Sequence, residues 1–300
     1  DTHGTALAGI AAAVGNNSLG VTGVAPGAGI ASLRLPLTAG AVTDSQVASA
    51  FGWQNAQIAV YNNSWYVSGY LDTLLTGSQS ASLNALRSAV ASGRGNLGNI
   101  FVFGSGNGYA EADDANYHFL QNYRYGITVG AVGSDGTHAP YSTSGASILV
   151  SGYSGDALRG VATTDRSGAA GINNDRLPTG LTDGTVTTDY TAQFSRYYTS
   201  GSTSEVVGTS AAAAEVSGVV ALMLQANPSL TWRDVQHILV LSAQGRATAD
   251  MPPNDSDPSS ATNDWVKNGA GMWVSYNYGF GAVDAKAAVD LAKNWTSVGA

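Results

Sequence analysis

The chain has 300 residues, of which 44% are hydrophobic, and its 13 Lys and Arg against 21 Asp and Glu give a net charge of -8 at pH 7. This balance argues against a nucleic-acid partner, because binding to phosphates needs a basic surface. The absence of cysteine excludes thiol catalysis, disulfides and thiolate zinc sites. No apolar run is long enough to predict a membrane span. No linker or fixed-period repeat divides the chain, so we expect a single domain over residues 1–300.

Patterns typical of helices and of strands alternate along the chain. This alternation predicts an α/β fold, with a mainly parallel sheet and helices on both faces. The helices expected from Thr43 and Thr231 begin with N-cap signatures. The predicted elements are, in order, a helix from His3 to Ala13, a strand from Ile30 to Leu35, a helix from Thr43, a strand from Ile58 to Tyr61, a helix from Leu83 to Ala91, strands from Ile100 to Phe103, Ile127 to Val129 and Ile148 to Val150, and helices from Ser210 to Leu224, Thr231 to Leu241 and Asp284 to Asn294.

Two polar stretches interrupt this alternation. Residues 173–204 have Gly, Thr and Asp spread through them, which indicates an irregular excursion or an inserted β-hairpin. Residues 251–264 are rich in Pro and Asp and are interpreted as a surface loop. Neither stretch predicts a domain boundary.

Ser210 follows Gly208 and Thr209 and precedes a run of alanines. The glycine leaves room for a tight turn and for close approach of a substrate. The alanines predict that Ser210 lies at a helix N-terminus, where free backbone N–H groups and the helix dipole favour developing negative charge. A serine in this place is a nucleophile if a base removes its proton. It can also simply cap the helix, and the short motif alone leaves both interpretations open.

The chain offers four histidines as candidates for that base. His237 lies within a predicted helix, and His118 and His138 lie in polar loops, so we interpret these three as structural or surface groups. His3 opens a helix of small residues, as Ser210 does. The pair therefore forms two thirds of a hydrolytic triad.

Two further polar motifs follow predicted strands. Asn107 lies in a Gly-rich turn directly after the strand that ends at Phe103, and Gly and Asn both tolerate the positive φ of a turn. Ser64 and Trp65 come after the strand that ends at Tyr61. The tryptophan is as compatible with the core as with a pocket wall, since aromatic residues dominate cores.

Together these motifs resemble those of the subtilisin-like serine proteases, and within them the kexin or proprotein-convertase branch. The resemblance implies a subtilisin-like three-layer fold, with Ser210 as nucleophile and His3 as the general base that activates it and later protonates the leaving amine. It also implies that the amide N–H of Asn107 and the backbone N–H of Ser210 stabilise the oxyanion. The matching segments are His3 to Gly9, Gly20 to Pro26, Gly104 to Gly108, Gly208 to Gly218, Asn227 to Asp234 and Tyr278 to Gly281.

The resemblance implies that a protein or peptide substrate pairs with the enzyme as an added strand. The residues that match the substrate-binding segments are Ser64, Trp65, Tyr66, Ser105 and Gly106. Tyr66 stands where the family normally has Gly, which would narrow a pocket or push the loop outward. The Pro and acidic residues expected after Trp65 are absent, so cleavage after paired basic residues is not carried over.

Calcium is the implied cofactor. Residues 14–21 resemble the family's calcium loop, in which the backbone oxygens of Val14, Leu19 and Val21 and the side chain of Asn17 would ligate the ion. The alternative is an ordinary turn rich in Asn and Gly.

A second acidic cluster, Glu111, Asp113 and Asp114, comes shortly after Asn107. The simplest interpretation is a solvated acidic loop. A second calcium site and recognition of basic side chains are the alternatives.

The third triad member of the family is an Asp that precedes the His. Asp1 is two residues from His3 and cannot reach around to its ring. We therefore expect an N-terminally truncated catalytic domain, without a P domain, that is nearly inactive alone, because loss of the acid lowers the rate of subtilisin by about 10⁴-fold. The parent protein is expected to supply the acid, and the sequence leaves open whether it also has a propeptide and the P domain that normally follows in this branch.

Two other functions remain open. A catalytically silent subtilisin-like binding or structural module is the main alternative, favoured by Tyr66 and by Ala214, where the family usually has Pro. A serine esterase is less well supported, because the residues around Ser210 lack the G-x-S-x-G elbow. Few lysines and many Gly, Ser, Thr and Asn are typical of exported bacterial proteins, so we expect a secreted or cell-surface location.

Overall fold

The computed structural model describes residues 2–18, 20–35, 42–65, 80–155, 160–165, 208–245 and 265–300. Within them the helices are α1 (Thr2–Ala12), α2 (Asp44–Phe51), α3 (Ser80–Asn96), α4 (Thr209–Ala226), α5 (Trp232–Ser242) and α6 (Ala285–Lys293). The strands are β1 (Val60–Asn63), β2 (Ile100–Gly104), β3 (Gly126–Val132), β4 (Ile148–Tyr153), β5 (Val266–Lys267) and β6 (Trp273–Val274). Short 3₁₀ turns cover Tyr109–Glu111 and Ala115–Tyr117.

Strands β1 to β4 form a parallel sheet in the order β1-β2-β3-β4. Every residue of β2 is buried, because both faces of the sheet are covered. Phe101 and Phe103 contact the ring of Phe51 on α2, with ring centroids 5.1 and 6.3 Å apart. Side chains alternate along a strand, so Val102 points to the other face. There α4 contacts all four strands, which confirms the predicted α/β sheet with helices on both faces.

Helix α4 is the central core helix. The alanines from Ala211 to Ala214 are fully buried, and their small side chains let the strands and α1 approach its backbone closely. Its mean hydropathy of 1.3 over 18 residues meets the length and composition limits of a membrane span, but 61% of it is buried inside the protein. A buried core helix passes the same test, so this helix gives no indication of a bilayer.

Helices α1 and α4 pack side by side in the same direction. Leu7 and Ile10 on α1 form one apolar cluster with Ala211 and Ala214 on α4. One turn further along both helices, a Cβ added to Gly218 would lie 3.0 Å from the carbonyl oxygen of Ala11. Because the contacts advance together along both helices, their N-terminal ends lie at the same edge of the molecule.

Helices α2 and α5 begin with the predicted caps, and α6 begins with one that was not predicted. Thr43 and Gln46 form a capping box at the start of α2, and Thr231 and Asp234 form one at the start of α5. Asp284 caps α6, and its carboxylate accepts the Ala287 N–H at 2.8 Å. Each cap satisfies backbone N–H groups that a helix leaves without an internal partner.

The predicted strand from Ile30 to Leu35 is wrong. These residues form no regular element, and Ile30 is 57% exposed. A strand needs a neighbour for its ladder, and no described strand pairs with this segment. The strand expected at Ile58 begins at Val60 and ends at Asn63. The predictions for residues 173–204 and 251–264 lie outside the described residues.

Candidate active site

The site is built where the carboxyl ends of two parallel strands meet the start of α4. Strand β1 ends at Asn63, which is in register with Phe103 near the end of β2, so the segments that follow both strands emerge at one edge of the sheet. Ser64 follows β1, and the loop from Ser105 to Gly108 follows β2. A helix N-terminus at such an edge favours the development of negative charge.

Ser210 is half-buried in the first turn of α4. The hydroxyl of Ser64 donates to the carbonyl oxygen of Ser210 at 2.8 Å. The hydroxyl of Ser210 donates to the carbonyl oxygen of Ser64 at a longer 3.4 Å. This weak bond leaves the Ser210 hydroxyl easily redirected towards a base.

Asn107 is held against the same helix start. Its side-chain oxygen accepts the backbone N–H of Thr209 at 2.9 Å and the Thr209 hydroxyl at 3.1 Å. A backbone N–H can only donate, so this bond assigns the amide oxygen to Thr209 and turns the amide nitrogen the other way. A Cβ added to Gly208 would lie 3.0 Å from that nitrogen. The glycine therefore makes room for the asparagine.

Two N–H donors at the start of α4 have no acceptor in the part of the chain that the structure describes. The N–H groups of Ala211 and Ala212 donate to the Gly208 carbonyl, at 3.0 and 3.4 Å, and that of Thr209 donates to Asn107. The backbone N–H of Ser210 and the side-chain NH₂ of Asn107 have no acceptor among the described residues. A pair of such donors at a helix start is the arrangement that an oxyanion hole requires.

His3 lies in the first turn of α1, and the parallel packing of α1 and α4 places it at the same end as Ser210. Its side chain reaches solvent, while the protein around it desolvates the ring and lowers the pKa of its imidazole below the ordinary value. The neutral imidazole that results at pH 7 can accept a proton. In this structure the Ser210 hydroxyl is bonded to Ser64, and no hydrogen bond between Ser210 and His3 is formed.

The structure places the predicted substrate-binding residues in different surroundings. Ser64 is buried and Trp65 is half-buried against the core, with its ring stacked on Phe51 at 6.3 Å. Ser105 and Gly106 are both buried in their loop. The Ser105 hydroxyl donates to the Thr143 carbonyl at 2.8 Å, so this side chain stabilises the loop that contains it. Tyr66 lies outside the described residues.

The predicted calcium loop is a tight connection. Gly23 N–H donates to the Ala13 carbonyl at 2.9 Å, which closes the loop at its base. Val14 and Asn17 are exposed and Val21 is half-buried, while Leu19 lies outside the described residues. Residues 14–22 contain no carboxylate, and no group of three His, Asp or Glu side chains in the described ranges could hold a metal. The residues present offer neutral oxygens only, which fit a weak calcium site.

The acidic cluster is not a simple solvated loop. Glu111 is exposed, but Asp113 and Asp114 are half-buried. Both oxygens of Asp113 lie within 2.9 Å of Nε2 of His118, whose side chain is 8% exposed. Asp114 accepts the N–H of Asn116 at 2.8 Å and also the hydroxyl of Tyr276. Sequence reasoning missed this pairing, because a five-residue spacing of Asp and His in a loop gives no periodic signal.

The other histidines are structural or at the surface, as expected. His138 lies between Tyr109 and Tyr278, tilted against the first ring and edge-on to the second, with ring centroids 5.0 and 5.8 Å away. His237 is exposed on α5 and approaches the ring of Trp295 at 6.5 Å.

A profile of the subtilase family (peptidase S8) matches residues 1–281. Human proprotein convertase subtilisin/kexin type 7 is 37% identical over 298 residues, which is 99% of this chain and 32% of that protein. Rat furin is 36% identical over 299 residues, again 99% of this chain and 32% of the relative. The chain thus spans about a third of the length of these curated relatives.

The serine protease of Aeromonas sobria has a similar solved structure. It superposes with a TM-score of 0.80 at 26% identity, over 100% of this chain and 54% of that one. This likeness confirms the subtilisin-like three-layer arrangement that the sequence resemblance implied.

Proposed function

The chain belongs to the subtilase family, and from this premise we propose that it is the catalytic part of a serine endopeptidase. Ser210 attacks the scissile carbonyl, His3 accepts the hydroxyl proton and returns it to the leaving amine, and an acyl-enzyme forms on Ser210. The observation that carries the proposal is a pair of donors, the Ser210 backbone N–H and the Asn107 side-chain NH₂, which no described residue engages and which lie on either side of the Thr209–Asn107 bond.

The proposed substrate is a protein or peptide that pairs as an added strand with the segment that follows β1. Ser64 in this segment donates to the Ser210 carbonyl, so an extended peptide along the segment has its scissile carbonyl close to the start of α4. Trp65 and Tyr66 are proposed to line its pockets, with Ser105 and Gly106 contacting it through their loop.

Structural calcium in the loop of Val14, Asn17, Leu19 and Val21 is also proposed. Its support is the closed loop with oxygen donors, and because the loop contains no carboxylate, we expect a low affinity. Calcium should raise the unfolding temperature of the protein relative to EGTA, and Asn17→Ala should abolish that rise. An equal rise in Asn17→Ala would place the ion elsewhere.

We further propose that the 300 residues alone turn over slowly. No carboxylate in the described part of the chain is hydrogen-bonded to His3, and an imidazole without an orienting acid loses about 10⁴-fold in rate. The catalytically silent module is the competing function. A secreted or cell-surface location is proposed from the composition, which has 38 Gly, no Cys and only 13 Lys and Arg.

Fluorophosphonate labelling tests the proposal on two samples, this chain and the complete product of its gene. We expect labelling of the gene product that Ser210→Ala abolishes and His3→Ala strongly slows. Ser217→Ala, on the same helix but bonded to Asn62 at 3.0 Å, is the matched control and should be labelled normally. Labelling that survives in Ser210→Ala would refute the nucleophile assignment. No labelling of either folded sample would favour the silent module.

A further inference from the structure

The pair formed by Asp113 and His118 lies directly against the loop that carries Asn107. A Cβ added to Gly108 would lie 2.8 Å from Cβ of Asp113. A Cβ added to Gly106, whose φ is +118°, would lie 2.7 Å from the Thr143 hydroxyl and 3.5 Å from an Asp113 oxygen. Because the two residues that flank Asn107 are glycines and have no Cβ, the loop packs directly against Asp113 and Thr143.

Hydrogen bonds also join Asp113 and Thr143 to the residues on both sides of Asn107. The hydroxyl of Thr143 donates to Asp113 at 3.4 Å and accepts the N–H of Gly108 at 2.8 Å. The backbone N–H of Thr143 donates to the carbonyl of Gly106 at 3.0 Å. The N–H of Asp113 donates to the carbonyl of Gly108 at 3.0 Å. Thr143 and Asp113 thus fix the backbone immediately before and after the asparagine.

His118 fixes the carboxylate in turn. Its Nε2 lies 2.9 Å from Oδ1 and 2.8 Å from Oδ2 of Asp113, so the side chain of Asp113 is held in one rotamer. The histidine side chain is only 8% exposed, which limits its own movement. A buried histidine ring that contacts Asp113 in this way holds the carboxylate in place, and through it the neighbouring loop.

We propose that Asp113, held by His118 and joined to the loop through Thr143, is a positioning residue that keeps the Asn107 side chain at the oxyanion. The proposal rests on the proposed function, because it gives Asp113 a role only through the donor that Asn107 supplies. Among the described residues, the Asp113 carboxylate bonds to His118 and Thr143 and not to Ser210. Its removal should let the loop shift, so that Asn107 meets the transition state less well.

A double-mutant cycle tests this role in the complete gene product. The four proteins are wild type, Asp113→Ala, Asn107→Ala and the double variant, with kcat and KM measured on a peptide substrate. Loss of an oxyanion donor costs about 10²–10³-fold in kcat, and its misplacement should cost roughly 10–100-fold. We expect Asp113→Ala to lower kcat by that factor with KM nearly unchanged, and to have little further effect when Asn107 is already alanine.

The matched control is Asp114→Asn. It removes a carboxylate from the adjacent position, but Asp114 bonds to Asn116 and Tyr276, away from the Asn107 loop. It should leave kcat unchanged even if it lowers stability. Thr143→Val is a second variant, for the case that Asp113→Ala fails to fold. It removes the hydroxyl that joins Asp113 to Gly108 and should reproduce the loss of kcat.

The outcomes separate this proposal from the proposed function. If Asn107→Ala leaves kcat unchanged, the oxyanion assignment fails and the role of Asp113 fails with it. If Asn107→Ala lowers kcat but Asp113→Ala and Thr143→Val do not, only the positioning role is refuted. An equal loss from Asp113→Ala in both backgrounds, or a rise of KM alone, would also refute it, because either result means that Asp113 does not act through Asn107.

Discussion

We expect Glu215 to make the protein less stable as the pH rises. It lies on α4 five residues after Ser210 and is tightly packed between α4 and β4, where one of its oxygens accepts the N–H of Tyr153. Among the described residues no basic side chain pairs with it. Burial raises the pKa of Glu215 to about 7, and the bond from Tyr153 only partly opposes this rise. Burial raises the pKa of Tyr153, and the negative charges of Glu215 and Asp284 raise it further.

The sign of the effect follows from proton binding. An unfolded Glu has a pKa of about 4.3, so between that pH and about 7 the folded protein binds more protons than the unfolded chain. Stability therefore falls as the pH rises through this window. The gap between about 4.3 and about 7 corresponds to about 4 kcal/mol of unfolding free energy, present at acidic pH and lost by pH 8.

Urea unfolding at pH 5 and pH 8 measures this loss. Glu215→Gln keeps an oxygen for the Tyr153 N–H but cannot ionise, so at pH 8 it should exceed wild type by about 3–4 kcal/mol. At pH 5, where an unfolded Glu is already mostly ionised, the difference should be about 1 kcal/mol. Asp290→Asn, a change at an exposed carboxylate, is the control and should follow wild type. If wild type and Glu215→Gln change equally between the two pH values, Glu215 does not carry the pH dependence and the reasoning is refuted.

Two further predictions concern single residues. Asp234 is buried, and desolvation alone would raise its pKa, but bonds from Thr231, Val298, Ser297 and Trp295 together outweigh desolvation and lower the pKa to about 2. Asp234→Asn should therefore cost about 2 kcal/mol at pH 7 by urea unfolding and less as the pH falls towards 2, and an unchanged midpoint would contradict this. Gly208 has φ 111° and ψ 162° beside Asn107, so Gly208→Ala should lose about 1–3 kcal/mol and most of its kcat. Gly136→Ala, at φ +81° in open space, should lose stability only, and full activity of Gly208→Ala would refute the close fit.

The regular elements were predictable where the sequence carries a local signal. The capping boxes at Thr43 and Thr231 and the apolar strand from Ile100 to Phe103 are examples, since a cap or a buried run is defined by neighbours in the chain. The segment from Ile30 to Leu35 has the same apolar character but forms no strand. Strand formation depends on a partner distant in sequence, which a local pattern does not contain.

The motifs of the candidate site were predictable from the sequence, but the residues that hold those motifs in place were not. His3, Asn107 and Ser210 each begin or end an element with a recognisable run of small residues. The sequence marks Thr209 only as part of the Ser210 motif, yet Thr209 holds Asn107 through both its backbone N–H and its hydroxyl. The contact between His118 and Asp113 depends on how a loop folds back on itself, which no spacing rule specifies.

Thr209 and Thr143 hold the Asn107 loop from two sides, and the two contacts have different consequences for catalysis. Thr209 adjoins Ser210, so the bond from Thr209 to Asn107 ties the oxyanion donor and the nucleophile to one helix start. Thr143 approaches from the segment between β3 and β4 and holds the loop independently of that helix. A shift of α4 therefore moves nucleophile and donor together and preserves their separation. A shift of the Thr143 segment moves the donor alone. The separation between the Asn107 donor and the Ser210 nucleophile is thus more sensitive to a shift of the Thr143 segment, on the Asp113 side of the loop, than to a shift of α4.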